Sequence, residues 1–241
     1  MTDYTIPTPD TDGKLPDDGI DSLAQQFRDA LAVAARSARS QSAAREFYQP
    51  VVHEWTETLA GRLDGLSPDA VARLAAANRV TPGLRDAMLC AALADHTEEE
   101  TLDMAADKDS KLTVSRIYRD LNGVFQDATR VPDLDKGLAA HNAFLRIAMS
   151  LPDGPHGSPG RDIANPFACA AYVAWYMDAP DISRGETAIA QRANPECNLA
   201  HIVDQAVAYG ISPAWADARD ASPAPDGATP SASGPAPGIG I

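Results

Sequence analysis

IDSLAQQFRDALAVAARSAR (20–39) and AAREFYQPVVHEWTETLAGRLD (43–64) decide the fold class. The first places Leu23, Phe27, Ala30, Leu31 and Ala34 at spacings of three and four. The second does the same with Phe47, Val51, Trp55 and Leu59, and ends toward Gly65. That is the stripe of an amphipathic helix, because 3.6 residues complete one turn.

The pattern continues outward. Ser67-Pro68, Thr81-Pro82, Asn165-Pro166 and Ser212-Pro213 each place a capping side chain before proline. The oxygen of the first residue takes an orphan N–H, and proline follows where no donor is needed. Thr97 with Glu100 reads as a capping box, and Glu98, Glu99 and Glu100 fall in a first turn whose dipole favours negative charge. A calcium loop would need alternating ligands around a central glycine, which is lacking. Val114, Ile117, Leu121, Val124, Phe125 and Ala128 predict a core-facing helix over about 111–129, and Leu134, Leu138, Leu145 and Ala148 predict another over about 134–151. No period-2 run of β-branched and aromatic residues occurs, so the expectation is an all-α chain of roughly nine to eleven helices.

Punctuation divides the 241 residues. Residues 1–19 read as a disordered acidic tail and 221–241 as a disordered Pro/Ala/Gly/Ser tail, since neither has the apolar surface to offset ordering entropy. Residues 152–162 (PDGPHGSPGRD) read as a linker between an N-terminal helical part, 20–151, and a C-terminal part, 163–220.

Net charge is −14, of which residues 1–22 supply −5 and residues 95–109 supply −6. The remainder is nearly balanced and carries no Lys/Arg stripe, which argues against direct nucleic-acid binding. No apolar run reaches the roughly 18 to 20 residues of a membrane span, and residues 1–14 lack the regions of a signal peptide, so the expected location is the cytoplasm. Cys90, Cys169 and Cys197 are widely spaced among apolar neighbours and read as buried free thiols.

Motifs for catalysis fail on spacing. Gly157-Ser158-Pro159-Gly160 is no nucleophile elbow, and neither a P-loop nor a Gly-x-Gly-x-x-Gly fingerprint is present. The histidines, at 53, 96, 141, 156 and 201, form no His-x-x-x-His pair, so no metal, cofactor or catalytic residue is assigned. His53 with Glu57 and His201 with Asp204 suit helix-surface ion pairs. His141 lies on the apolar side of its helix and suits a satisfied core or rim histidine.

The C-terminal part combines an aromatic segment, PFACAAYVAWYMD (166–178), an alanine-rich helix with Ala188, Ala190 and Ala193, the step Asn194-Pro195, and a third helix over about 198–209. That order is the grammar of a tetratricopeptide-like helical hairpin, a unit that stacks and binds partners. Ala174-Trp175, Ala188-Ile189-Ala190, Asn194-Pro195, Leu199-Ala200 and the 208–215 run AYGISPAW, with Thr81-Pro82-Gly83-Leu84-Arg85-Asp86 upstream, resemble the C-terminal region of the actinobacterial domain-of-unknown-function 4192 family over about 80–215. The strand-bearing N-terminal half of that family, with its Gly-Phe-His-Pro-like motif, has no counterpart, and Ala179-Pro180-Asp181-Ile182 replaces its glycine-rich turn. The resemblance implies a helical fold and a bacterial, mobile-element-associated origin, and brings no reaction with it.

Three functions are weighed. The first is a non-enzymatic interaction or scaffold module gripping a protein partner through Tyr172, Trp175, Tyr176 and Trp215, unless those four aromatics pack in the core. The second is an enzyme with a dispersed site drawn from His53, Glu57, His141 and Asp204. The third is an acidic decoy of a basic or DNA-binding partner, which needs the acids of 1–22 and 95–109 to converge.

Overall fold

The computed structural model describes residues 2–154 and 160–221. Those residues form eleven α-helices and no strand: α1 (Asp17–Ala35), α2 (Ser40–Leu59), α3 (Pro68–Asn78), α4 (Gly83–Leu93), α5 (Glu98–Ala106), α6 (Lys111–Gln126), α7 (Leu134–Met149), α8 (Ala164–Tyr176), α9 (Pro180–Ala193), α10 (Asn198–Ala208) and α11 (Ala214–Ala221). A 3-10 turn, Arg161–Ile163, leads into α8.

Local chemistry explains the starts. Ser67 accepts the Ala70 N–H ahead of Pro68, and Thr97 with Glu100 closes both bonds of a capping box. Ser110 and Asp133 cap α6 and α7 through their side chains. Three expected starts differ, among them Ser212-Pro213, where α11 begins at Ala214 and Pro213 stands in the cap position. Pro82, not Thr81, is the cap of α4, and Asn165 lies inside α8, where its side-chain oxygen accepts from Arg85 at 2.7 Å.

Phe27 and Phe47 stack at 4.1 Å between α1 and α2, and Trp55 meets Phe144 of α7 at 4.8 Å. The Trp55 indole N–H donates to the Met88 carbonyl at 3.0 Å, so this fully buried ring leaves no donor unsatisfied. One continuous core then runs through Leu84, Phe144, Trp175 and Val203. The helical parts on either side of 152–162 pack together. Helices on both sides of that stretch share one core, with α8 packed on α7 and α4. Residues 155–159 lie outside the described residues. Gly160 is buried so close to Pro152 that a Cβ there would sit 2.0 Å from the Pro152 carbonyl oxygen.

The expectation for residues 1–19 is also corrected. Over 2–16 the chain has no regular element yet lies against the body: Tyr4 meets Phe47 edge-on at 4.8 Å, Leu15 is buried, and the Leu15 N–H donates to the Ser150 carbonyl at 2.9 Å. Isolated apolar residues among Asp, Pro and Gly carry no period to read, but each fills a gap between helices. Most of the C-terminal tail, 222–241, lies outside the described residues.

Helices α6 and α7 depart from the expected facing. On α6 the buried positions are Thr113, Asp120 and Val124, while Val114 and Tyr118 are 54% and 67% exposed. At about 100° per residue, its apolar stripe is rotated roughly 80° from the side it buries. On α7 the core takes Ala140, Ala143, Phe144, Ile147 and, as expected, Ala148, and leaves Leu134 and Leu138 exposed. On α9 only Ala190 of the three alanines is buried, because the inward face holds Ser183, Glu186 and Thr187.

Candidate functional site

The four aromatics proposed as partner anchors come together, but as core. Tyr172, Trp175 and Tyr176 are each under 5% exposed and Trp215 is partly buried against the same cluster. Every polar tip is spent on a backbone carbonyl: Tyr172 OH on Leu121 at 2.8 Å, Trp175 Nε1 on Ile211 at 2.8 Å, Tyr176 OH on Arg130 at 3.0 Å and Trp215 Nε1 on Tyr176 at 2.9 Å. These rings staple α6, the 127–133 loop and α11 to α8, and Tyr176 also borders a recess of about 330 Å³ beside Asp95, Arg130 and Lys136. Burial pushes the Tyr172 and Tyr176 hydroxyls above their ordinary range.

No two of the four dispersed-site residues are bonded to each other among the described residues. His53 pairs with Glu98 at 3.1 Å, and that bond raises its pKa. Glu57 pairs with Arg62, whose bond holds the carboxyl below its usual range. His141 bonds Glu186 of α9 at 2.7 Å, where both are buried, and Asp204 stands on α10. His201 bonds the Pro195 carbonyl at 2.6 Å. In place of the expected bond between His53 and Glu57, His53 takes Glu98 of α5 and Glu57 takes Arg62 of the turn that follows α2. The buried thiols suit no nucleophile: burial lifts Cys169 to about 12 and Cys90 higher still.

The acids of the two clusters take separate partners. Glu99 and Asp103 take Arg45, Asp95 meets Lys136 at 3.3 Å, and Glu100 is held by its own cap. At the opposite end of the sequence, Asp17, Asp21 and Asp162 close around Arg79 in a polar cleft of about 610 Å³. Burial disfavours the Arg79 charge, but Asp162 and Asp17 outweigh it and hold the guanidinium firmly protonated. The cleft clasps the start of α1, the end of α3 and the approach to α8.

A buried pair absent from the sequence reading matters more. His96 Nε2 lies 2.7 Å from Asp120 Oδ2, with the His96 side chain 7% and the Asp120 side chain 3% exposed. Arg130 donates to the Asp120 carbonyl at 3.3 Å and brings its charge within 3.9 Å of the carboxylate. A buried carboxylate is costly without such partners. Asp120 therefore has to face inward, and the helix that carries it turns its stripe outward. The signal available in sequence was one acid, Asp120, seven residues from Thr113 and four from Val124 on a single helical face.

The result is a solvent-facing apolar ridge, Val114 and Tyr118, continued by partly buried Ile117, Leu121 and Phe125. Phe125 meets Trp175 at 4.6 Å, and Trp175 holds the turn that exposes Tyr209 and Ile211. Lys111 and Arg119 flank the ridge, both exposed. Compared with family models, curated proteins and solved structures, the chain matches none.

No helix among the described residues is long and apolar enough to cross a membrane, and no group of three or more His, Cys, Asp or Glu among them could hold a metal ion.

Proposed function

We propose that the chain is a non-enzymatic helical interaction module that docks a protein partner on α6. The observation that supports this is the outward rotation of α6, held by Asp120, which leaves Val114 and Tyr118 in water on a helix whose own pattern asks for burial. Local choices that disagree with the fold mark functional positions more often than errors. Lys111 and Arg119 beside the ridge suit an acidic amphipathic helix as the occupant, with apolar anchors at helical spacing. The packing of α8, α9 and α10 on one another is the natural place for the tetratricopeptide-like hairpin in this reading. In this reading, the resemblance over 80–215 suggests an accessory protein of an actinobacterium or of its mobile elements, and the sequence without a membrane-length apolar run suggests that it works in the cytoplasm.

The test is a photo-crosslinking amino acid at position 118, with Gln25 of α1 as the exposed control, in the native host. The expected result is one discrete protein adduct from position 118 and none from position 25, with the captured segment acidic and helical. No adduct, or the same ladder from both positions, overturns the reading.

A further inference from the structure

A separate surface on α7 carries an inference that does not depend on α6. Beyond its core face, α7 holds a second apolar line: Leu134, Leu138 and Met149 are 62%, 54% and 64% exposed, and Leu145 between them is partly buried. At about 100° per residue these four fall within roughly 60° of one another, about 120° round from the core side. Such a stripe on an otherwise satisfied helix is an interface pattern.

Its spacing is the informative part. The steps along the line are four, seven and four residues, the same read from either end. A two-fold contact between antiparallel helices demands this, since residue i must meet residue j while j meets i. Two copies set α7 against α7 with Leu134 over Met149 of the second copy and Leu138 over its Leu145. Asn142, exposed, falls beside the axis.

The flank agrees. Asp135 and Arg146 lie on the same edge of the stripe, within about 20° of each other at 100° per residue. Antiparallel pairing brings the Asp135 of each copy alongside the Arg146 of the other, within about one helical turn. Asp135 has no hydrogen bond or ion pair among the described residues, and Arg146 bonds only the Asp64 carbonyl.

We infer that α7 is the homodimer interface of this protein, closed by a two-fold axis near Asn142. The experiment is sedimentation equilibrium on the full chain. The expected mass is twice the 25.4 kDa of one copy, and Leu138→Glu, at an exposed position that leaves the fold intact by circular dichroism, returns it to one copy. Asp135→Arg is expected to weaken the dimer by roughly tenfold in Kd, and Asp135→Arg with Arg146→Asp to restore it. Because Cys90, Cys169 and Cys197 are buried, Asn142→Cys supplies the accessible thiol for a short bismaleimide, which should join copies at 142 but not at a Gln25→Cys control. A monomer at about 100 μM, or a dimer indifferent to Leu138→Glu and not joined at 142, overturns the inference.

Discussion

His96 and Asp120 meet at 2.7 Å inside the body, and their contact sets the direction in which α6 faces. Removing one partner of a buried pair leaves the other unpaired at a cost of about 3–5 kcal/mol, whereas replacing both by apolar groups of similar volume is near neutral. Asp120→Ala should therefore lower unfolding stability by about 3 kcal/mol in urea titration, and His96→Phe with Asp120→Leu should recover most of it. In the double variant α6 is free to roll its stripe inward, so Tyr118 should become less reactive toward tetranitromethane.

His141 and Glu186 tie α7 to α9, and the bond to Glu186 raises the His141 pKa despite burial, which opposes it. A raised folded value means that protonated His141 favours the native state. Its contribution is complete below the unfolded value of about 6.5 and is lost as pH rises through the higher folded value. Wild type should exceed His141→Gln in urea midpoint most clearly at pH 5.5, with the gap narrowing by pH 8.5.

Trp175 is packed between α6 and the 209–212 turn and donates to the Ile211 carbonyl at 2.8 Å. Trp175→Phe should cost about 1–2 kcal/mol through that orphaned carbonyl, and Trp175→Ala about 3–5 kcal/mol through the cavity. Thermal melting checks both. An unchanged Tm for Trp175→Ala would return this ring to the surface.

Leu15, 1% exposed, predicts that the N-terminal segment is part of the folded body. Leu15→Ala should cost about 2–4 kcal/mol, and deletion of residues 2–14 should lower the melting temperature and speed proteolysis at Ser150.

Helix existence was legible because apolar stripes and caps are local: Phe27, Phe47, Trp55, Ser67 and Thr97 behave as their spacing predicts. Facing was not legible on α6 or α7. Each carries more apolar residues than one contact can cover, and the choice is made by residues distant in sequence, Asp120 finding His96 and Phe144 finding Trp55. The aromatics of α8 raised the same ambiguity, since a tyrosine or tryptophan suits a core or an interface until its polar tip finds a partner. Leu15 was unreadable for the opposite reason, as a single apolar residue with no period around it.

The bond from the Leu15 N–H to the Ser150 carbonyl also has a meaning in time. At ribosomal rates of about 5–20 residues per second, the opening segment emerges on the order of ten seconds before the strand of chain it will lie against. Until then the Leu15 N–H lacks the carbonyl it bonds in the folded protein. Closure of that long loop comes late, and a nascent chain stalled in the second half of α7 would leave the segment around Leu15 unseated and open to chaperones and proteases.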